Sequence, residues 1–449
     1  METDYREWDY QRICEALLDV PRFTKKHSLS HTDRLRKILF PDYEPKNVIH
    51  VAGTNGKGSV CNYLRGLLKK QGFSVIMFVS PHLVSMTERI VINDKPVSEE
   101  DFCRAYCKVA EGVALAEKEG LTHPTFFEYL FLMMLAVAEK EKPDYLILET
   151  GLGGALDATN VFAKPALTVI TRISLDHTQY LGDTVELVAG QKAGIIKEGV
   201  PLVYQAGDPG ADGVIAEQAR EKNARLISLP GREVHFEERE TGGERSDKKT
   251  IDFSYQSHYY NIVLSLSGLG AYQICNAATA LAAYEVLMEG RKVLPQPAVC
   301  EAFSACCWPG RMEEIRQGFT VDGAHNPDGM EHFLGSVSLD GASGRRYLIF
   351  AASADKDIET MLEMIAKSGL FTKVIVTRYE GQRGADSLAI CDMALAMGID
   401  ASVCSSVPDS IKKAEALKGE RDVIYAAGSL YLIGEIKKLT DSEMCYDKF

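Results

Sequence analysis

The amino-acid sequence predicts an α/β protein with a mostly parallel sheet that helices cover on both faces. Short apolar, β-branched runs, each typical of a buried strand, occur at residues 48–52, 74–80, 144–149, 167–173 and 201–204. Segments with helical periodicity separate these runs, and strands that alternate with helices form parallel sheets. Between residues 233 and 267, apolar and polar residues alternate around a hydrophilic turn at 242–249, which predicts a small antiparallel patch.

Composition limits the class of protein. The chain has 449 residues, of which 46% are hydrophobic and 25% charged, as is typical of a globular protein with two or three domains. The net charge of −13 argues against general binding to nucleic acid or to membrane surfaces. Eleven cysteines without a CxxC pair suggest a reducing compartment, and the acidic, polar amino terminus does not resemble a signal peptide. No apolar run is long enough to cross a bilayer, so we expect a cytoplasmic protein.

Helical periodicity predicts the elements that lie between the strands. The first helix, over residues 5–20, would bury Leu18 together with Ile13 and Leu17. The second helix would begin at Thr32, a residue type that often caps helices. Further helical patterns cover residues 99–120, 124–140, 183–197, 269–289 and 296–305.

A glycine-rich loop joins the strand at 48–52 to the next helix, and it reads Gly53-Thr54-Asn55-Gly56-Lys57-Gly58-Ser59. Glycines let successive backbone N–H groups turn toward one point, and the helix N-terminus adds partial positive charge. Lys57 could reach nucleotide phosphates, and the Ser59 hydroxyl could bind phosphate or Mg²⁺. Because Gly58 separates the lysine from the serine, the common phosphate-loop pattern is not met. The alternative is a glycine turn without a ligand, but the lysine and serine favour nucleotide phosphate.

A second α/β unit begins after the Pro-Gly break in the segment 306–311. Its strands are predicted at 347–351, 373–377, 401–405 and 422–426, with helices between them. We place the boundary near Cys307. The sequence therefore predicts an N-terminal domain over residues 1–307 and a smaller C-terminal domain over residues 308–449.

Polar side chains follow several strands at their carboxyl ends, where ligands bind in open α/β sheets. Ser80, Glu149 and the pair Asp176-His177 end three predicted strands, and all should meet Lys57 at one edge. Their oxygen and nitrogen donors suit Mg²⁺ beside a triphosphate. Taken alone, Glu149 could instead cap the following glycine turn, and His177 could be a histidine in a surface turn that has its own hydrogen bonds.

Four further polar residues are ambiguous by residue type. Lys192 lies in a helix between two glycines, and a solvated lysine is the simplest interpretation. Asp322 and His325 follow a short strand at 318–321 and could contact a ribose or a base, or form an Asx-type turn before the next helix. Asn276 lies on the alanine-rich helix, either as a ligand contact or as a cap or buried amide.

The order of the motifs resembles a known family. GTNGKGS is followed by SPHL with TERI, then by ETGLGGALDATNV, SLDHTQYLGDT, QKAGIIK, WPGR and DGAHNP. This set is similar to folylpolyglutamate synthase, which in bacteria is often bifunctional with dihydrofolate synthase and belongs to the Mur ligase superfamily. The resemblance extends over nearly the whole chain.

The resemblance implies a Mur-ligase-like fold, with an N-terminal P-loop ATPase domain and a smaller Rossmann-like C-terminal glutamate ligase domain. It implies that ATP phosphorylates a carboxylate of a pterin substrate and that the amine of L-glutamate attacks the acyl phosphate. ATP and two Mg²⁺ ions would take part, without a redox cofactor. The partners would be small molecules, namely a reduced folate, L-glutamate and, in bifunctional members, dihydropteroate, and the enzyme would be a monomer.

Carried over residue by residue, the resemblance gives each motif a role. The ATP contacts would be Gly53, Thr54, Asn55, Gly56, Lys57, Gly58, Ser59, Asn276, Arg311 and Asp322. One Mg²⁺ would be bound by Ser80 and Glu149, and the second by His177 with Lys192, which the family carbamylates. The catalytic set would be Lys57, Lys192, His177 and His325. The pterin site would be lined by Thr125, Phe126, Phe127, Glu128, Leu156, Asp157 and Ala158.

The chain departs from the family pattern at a few positions outside the metal ligands. Ala155 stands where members often have arginine, and Tyr272 stands where a histidine is common. Since Ala155 lies near the expected pterin pocket, the use of dihydropteroate stays open. Two alternatives remain: another amide ligase of the superfamily, acting on a peptidoglycan precursor, and a nucleotide-binding regulatory protein without ligase activity. The expected metal and lysine positions argue against the regulatory protein.

Overall fold

The computed structural model describes residues 5–21, 27–239, 250–268, 270–381 and 383–446. The hydrophilic turn predicted at 242–249 lies outside the described residues. Within them, two large sheets and one small sheet account for the strands. None of the described helices combines the length and the apolarity needed to cross a bilayer.

The first large sheet has eight strands in the order β4-β3-β2-β5-β1-β6-β7-β8. The strands are β1 (Val48–Ala52), β2 (Val75–Phe78), β3 (Ile90–Ile92), β4 (Lys95–Pro96), β5 (Tyr145–Glu149), β6 (Leu167–Ile170), β7 (Leu202–Gln205) and β8 (Leu226–Leu229). All neighbours from β2 to β8 are parallel, whereas β3 and β4 form an antiparallel hairpin at one edge. The mostly parallel sheet is therefore confirmed, and its central strand β1 leads directly into the glycine loop.

Helices cover both faces of this sheet. They are α1 (Tyr10–Asp19), α2 (Leu29–Leu39), α3 (Lys57–Lys70), α4 (Glu99–Lys118), α5 (Phe126–Glu141), α6 (Thr178–Leu181), α7 (Val185–Ala193), α8 (Pro209–Glu221), α9 (Tyr272–Leu287) and α10 (Gln296–Ser304). Helices α3, α9 and α10 share one apolar core, and α1, α2, α4 and α5 share another. Val60, Leu64 and Leu67 of α3 are fully buried in the first core, where each contributes roughly 1.5–3 kcal/mol of transfer free energy.

A separate three-stranded antiparallel sheet packs on the α3–α9 core. It consists of β9 (His235–Arg239), β10 (Thr250–Gln256) and β11 (Asn261–Ser267), in the order β11-β10-β9. Alternate residues of β10 and β11 are buried, as the period of two in the sequence predicts. The predicted antiparallel patch is confirmed.

The C-terminal part contains the second large sheet, in the order β12-β13-β17-β14-β15-β16. Its strands are β12 (Glu313–Arg316), β13 (Phe319–Val321), β14 (Arg346–Phe350), β15 (Lys373–Val376), β16 (Ala401–Val403) and β17 (Val423–Ala427). Its helices are α11 (Pro327–Leu339), α12 (Ile358–Ser368), α13 (Ser387–Ala396), α14 (Val407–Leu417) and α15 (Leu430–Tyr446). Only the β12–β13 pair among these is antiparallel, and apolar cores lie on both faces.

Two local predictions were wrong, each for a tertiary reason. Helix α2 begins at Leu29 after its N-cap Ser28, and Thr32 is buried inside the helix with its hydroxyl donating to Glu128. Leu18 is 48% exposed, because the buried face of α1 is set by Ile13 and Leu17 one turn apart, and Leu18 lies about 100° around the helix from Leu17.

Candidate active site

The glycine loop after β1 has the backbone geometry of an anion site. Gly56 precedes α3 with a φ of 87°, and a Cβ there would collide with the side chain of Asn276. At Gly58, a Cβ would lie 2.9 Å from the ring of Trp308. These positions require glycine because the loop is enclosed by α9 and by the segment that precedes β12. The free N–H groups at the start of α3 therefore remain available to an anion.

The amino groups of two lysines meet at one carbonyl of this loop. The Nζ of Lys57 donates to the carbonyls of Gly53 at 3.1 Å and Thr54 at 2.9 Å. The Nζ of Lys192 donates to the same Gly53 oxygen at 2.7 Å. Burial, and then the charge of Lys57, holds the pKa of Lys192 well below its usual range. Lys192 is therefore not the solvated lysine that its residue type suggests, but a buried amine beside the loop.

The carboxyl ends of β2 and β5 bring Ser80 and Glu149 together. The Ser80 backbone N–H donates to Oε2 of Glu149 at 2.9 Å. Burial raises the pKa of Glu149, and the charges of Lys57 and Arg311 act in the opposite direction. The glycine turn after β5 is closed by Asp157, whose Oδ2 accepts from two backbone N–H groups at 3.0 Å, so Glu149 is not the cap of that turn.

His177 lies at the end of the segment that follows β6. It begins the short helix α6 with a φ of 49°, a left-handed conformation that turns the chain sharply. Its Nδ1 lies 4.0 Å from a carboxylate oxygen of Asp355 in the C-terminal part. Burial lowers the pKa of His177, and among the positive charges that add to this effect is Lys57. Lys57, Glu149 and His177 lie at or beyond the carboxyl ends of β1, β5 and β6, which are parallel neighbours in the sheet, so all three lie at its carboxyl edge.

Asp176 joins the two halves of the chain. Its Oδ1 accepts from the Nζ of Lys356 at 2.6 Å, and its Oδ2 accepts from the amide of Asn326 at 3.0 Å. The side chains of Asp176 and Lys356 are 9% and 8% exposed, so this ion pair is buried. The Lys356 charge holds the pKa of Asp176 well below its usual range, although burial alone would raise it.

The DGAHNP motif forms the matching wall in the C-terminal part. Asp322 accepts from the Tyr272 hydroxyl at 2.7 Å and from the backbone N–H groups of Met312 and Ala324 at 2.8 Å. The bond to Ala324 is the predicted Asx-type turn, and the bond from Tyr272 ties that turn to α9. Burial raises the pKa of Asp322, and the nearby Arg311 guanidinium lowers it.

His325 lies in the same turn as a neutral imidazole. Its Nδ1 is 2.8 Å from the carbonyl of Gly323, and its Nε2 is 3.8 Å from Asp176. Burial lowers the pKa of His325 to about 4. The ring is therefore unprotonated at neutral pH, with Nε2 directed to the Asp176 side of the site.

Asn276 belongs to a buried amide network behind the glycine loop. Its Nδ2 donates to Gln273 at 3.1 Å, and its Oδ1 accepts from Gln205 at 3.2 Å. Gln273 in turn donates to the Ser59 hydroxyl at 3.2 Å. The network connects the end of β7, helix α9 and the start of α3, so Asn276 is a buried amide that also touches the loop.

The stretch predicted to contact a pterin borders the same edge through Phe127. A Cβ at Gly151 would lie 2.6 Å from the Phe127 ring, which brings the start of α5 against the turn after β5. Thr125 and Glu128 form a capping box there, which explains a carboxylate in the first turn of this apolar helix. Phe126 and Ala158 are buried, Leu156 is 52% exposed, and Asp157 bonds to its own turn.

A cleft of 690 Å³ lies between the two parts of the chain. Its lining includes His177 and Arg172 from the N-terminal part, and Asn326 and Lys356 from the C-terminal part. Sequence analysis missed Lys356, although it follows β14, so the rule that polar residues follow the strands applies to the second sheet as well. It also missed the hydrogen bond that makes Tyr272 a partner of Asp322.

Both parts of the chain are similar in sequence to known proteins. Residues 51–284 match the Mur ligase middle domain, and residues 310–430 match the Mur ligase glutamate ligase domain. The dihydrofolate synthase/folylpolyglutamate synthase of Bacillus subtilis (strain 168) is 35% identical over 444 residues, which cover 97% of this chain and 98% of that protein. The dihydrofolate synthetase of Saccharomyces cerevisiae is 29% identical over 92% of this chain and 98% of its own length.

Two solved structures have the same fold. E. coli FolC in complex with DHPP and ADP matches with a TM-score of 0.84 and 27% identity, over 98% of this chain and 100% of that one. Mycobacterium tuberculosis folylpolyglutamate synthase complexed with ADP matches with a TM-score of 0.85 and 27% identity, over 96% and 98% of the two chains. The predicted two-part α/β architecture is thereby confirmed, and the chain belongs to the folylpolyglutamate synthase/dihydrofolate synthase family of Mur ligases.

Proposed function

We propose that this protein is an ATP-dependent ligase that adds L-glutamate to tetrahydrofolate through an acyl phosphate. The observation that carries the proposal is that Lys57, Glu149 and His177 lie at or beyond the carboxyl ends of the neighbouring parallel strands β1, β5 and β6, while Lys192 bonds to the loop after β1. Family membership supports it, because the relatives are named as folylpolyglutamate and dihydrofolate synthases. Transfer of a phosphoryl group requires positioning and charge neutralisation above all, and the site offers both.

The nucleotide would bind between the two parts of the chain. The backbone N–H groups of Gly53 to Ser59 and the Lys57 ammonium would hold the phosphates, as the ADP complexes of the structural relatives support. Asn276, Arg311 and Asp322 would complete the ATP contacts from α9, the connecting segment and the C-terminal part. We propose that residues 1–307 and 308–449 act as the two domains that close on ATP and exclude water from the acyl phosphate.

The donors fit Mg²⁺. Glu149 uses Oε2 for the Ser80 backbone, and its Oε1 forms no hydrogen bond with the described residues, so that oxygen and the Ser80 hydroxyl can bind one ion. His177 would hold a second ion. Bound Mg²⁺ would neutralise phosphate charge during the transfer.

Lys192 would assist His177 in its carbamylated form. A carbamate forms when an uncharged amine takes up CO₂ and loses a proton, and the lowered pKa of Lys192 supplies the uncharged amine. The product is an anion, which would place a negative charge beside the Lys57 amino group that shares the Gly53 carbonyl. We propose Lys57, Lys192, His177 and the neutral His325 as the catalytic set.

We propose that the pterin binds along the starts of α5 and of the turn after β5, within the set Thr125 to Glu128 and Leu156 to Ala158. Phe127 faces this turn and supplies an aromatic surface. Conversion of dihydropteroate to dihydrofolate is the second candidate activity, favoured by the names of the relatives. We further propose a monomer in the cytoplasm. The cytoplasm is supported by the ten cysteines whose side chains the structure describes, because all ten are free, as is typical of a reducing compartment.

Parallel assays with tetrahydrofolate and with dihydropteroate test the proposal. Each reaction contains ATP, Mg²⁺ and L-glutamate, and phosphate release and folate products are measured. We expect glutamate-dependent phosphate release with tetrahydrofolate and a product longer by one glutamate. If glutamate does not increase phosphate release with either pterin, the result would favour a regulatory protein without ligase activity. Activity only with a peptidoglycan precursor would favour the other amide ligase.

A further inference from the structure

Three side chains of the kind that bind transition metals cluster outside the residues assigned above to Mg²⁺. His27 precedes the cap of α2, His31 lies in the first turn of that helix, and Glu128 lies in the first turn of α5. Each offers one ligand atom, and these atoms lie within 4.8 Å of one another. The two imidazole rings are 4.1 Å apart between centroids. The cluster therefore has the size of a mononuclear metal site.

His31 is in the state that a metal ligand requires. Its Nε2 lies 3.1 Å from the carbonyl oxygen of Thr122 and 3.0 Å from the hydroxyl of the same residue. Because the carbonyl can only accept, we assign the hydrogen to Nε2, with the hydroxyl as a second acceptor. Its Nδ1 is buried and has no hydrogen-bond partner among the residues that the structure describes, which leave out 22–26. A buried acceptor without a partner costs about 1–3 kcal/mol, and a cation would satisfy it. Imidazoles that bind metals typically donate their other N–H to a backbone carbonyl in this way.

His27 and Glu128 supply the other two donors in a fixed orientation. The Nδ1 of His27 lies 2.9 Å from Oε2 of Glu128, so a cation can replace the shared proton. The carboxylate is held by Thr32 at Oε1 and by the backbone and hydroxyl of Thr125 at Oε2. The carboxylate is thus held in place before any ion binds.

We propose that His27, His31 and Glu128 bind a divalent transition-metal ion of the Zn²⁺ class. Two imidazoles and one carboxylate are the protein ligands of many zinc sites, which leave a fourth position to water. Nitrogen donors favour such an ion over Mg²⁺, which prefers oxygen. The ion ties the start of α2 to the start of α5. Glu128 also belongs to the stretch Thr125 to Glu128 that we propose lines the pterin site, but the inference rests on the geometry of the cluster and not on the proposed ligase activity.

Titration of the full-length, chelator-treated protein with Co²⁺, a spectroscopic substitute for Zn²⁺, tests the site. Excess Mg²⁺ and ATP are present throughout, and Zn²⁺ is added last as a competitor. We expect a visible absorption band that saturates at one Co²⁺ per chain and disappears with Zn²⁺. In His31→Ala the dissociation constant for Co²⁺ should rise strongly. Loss of a residue that only hydrogen-bonds to a metal ligand costs roughly 10- to 100-fold, and loss of a ligand itself should cost more. His258→Ala, a histidine in the turn between β10 and β11, should bind as the wild type does.

Two further measurements separate this site from the active site and from misfolding. His177→Ala should keep the band; if that variant loses it while His31→Ala keeps it, the ion binds at the active site and the proposal is overturned. If His31→Ala does not fold, His27→Gln replaces it. Zn²⁺ should raise the Tm of the wild type and leave that of His27→Gln unchanged, because an ion that binds only the folded state stabilises it. An equal rise in both, or no saturable band in the wild type, would overturn the proposal.

Discussion

Replacement of Lys356 by methionine would leave the Asp176 carboxylate buried without its cation. The Nζ–Oδ1 distance is 2.6 Å, and both side chains are more than nine-tenths buried, so solvent screens the pair only weakly. Breaking a buried ion pair by removing one partner costs about 3–5 kcal/mol. Because the amide of Asn326 still donates to Oδ2, we expect the lower end of that range, about 3 kcal/mol.

The pair connects the two parts of the chain beside the cleft, so its loss should appear in kcat/KM. At about 1.4 kcal/mol for each factor of ten, Lys356→Met should lower kcat/KM roughly 100-fold. Asp176→Asn should have a similar effect, because it leaves the Lys356 ammonium buried and unpaired. In the double variant both charges are gone, so we expect a loss close to that of one single variant and far from the product of the two.

Glutamate-dependent phosphate release, measured for the wild type, the two single variants and the double variant, gives the coupling free energy. The exposed pair Lys70–Glu301 has the same 2.6 Å separation but side chains that are 41% and 66% exposed, and it is the matched control. Its coupling should stay below about 1 kcal/mol. If the effects of Lys356→Met and Asp176→Asn simply multiply, the buried pair does not act as a unit and this reasoning is refuted.

Three further predictions concern the glycine loop, the position of Asp322 and the pH dependence of stability. Lys57→Ala should lower kcat roughly 100- to 1000-fold, which is the usual effect of losing one preorganised donor to a developing charge. Lys69→Ala, at the exposed end of the same helix, should be near normal in the same assay. Near-normal turnover of Lys57→Ala would remove the phosphate-loop assignment. Tyr272→Phe removes the hydroxyl that donates to Asp322, a proposed ATP contact, so the KM for ATP should rise several-fold for a loss of about 1 kcal/mol. An unchanged KM would show that this hydrogen bond does not position Asp322 for ATP. Burial raises the pKa of Glu285 from 4.5 to about 7, so the folded state binds the proton more tightly than the unfolded state, and Tm should fall as pH rises from about 4.5 to 7. Glu285→Gln should flatten that part of the Tm–pH profile, and a profile identical to that of the wild type would contradict the assignment.

The sequence predicts the central strands well because their signal is local. Strands β1, β2, β5 and β6 are continuous apolar runs, and such runs indicate strands buried on both faces. Two of the strands that the sequence analysis did not find, β8 and β12, lie at sheet edges. Only half of β8 is buried, and β12 reads EEIR, so neither shows the apolar pattern of a central strand.

Candidate site residues were found where a polar residue ends a predicted strand. Glu149 and His177 satisfy that rule, and they end or follow β5 and β6, the two neighbours of the strand that leads to Lys57. The state of Lys192 could not be predicted from residue type, because its lowered pKa comes from burial and from the neighbouring Lys57 charge. The capping box of Glu128 is local, because its partner Thr125 lies three positions before it. The contact of Glu128 with His27 was hidden, since His27 lies 101 positions away in the chain.

The sequence by itself determined the alternation of strands and helices, the glycine loop and the polar residues at the strand ends, because each depends on neighbours within a few positions. Only the tertiary structure decided which charged and polar side chains lie close enough to form ion pairs and clusters. Asp176 and Lys356 are 180 positions apart, and the His27–His31–Glu128 cluster joins two helices from different parts of the chain. Electrostatic coupling depends on distance and burial in space, and neither quantity is encoded in local periodicity.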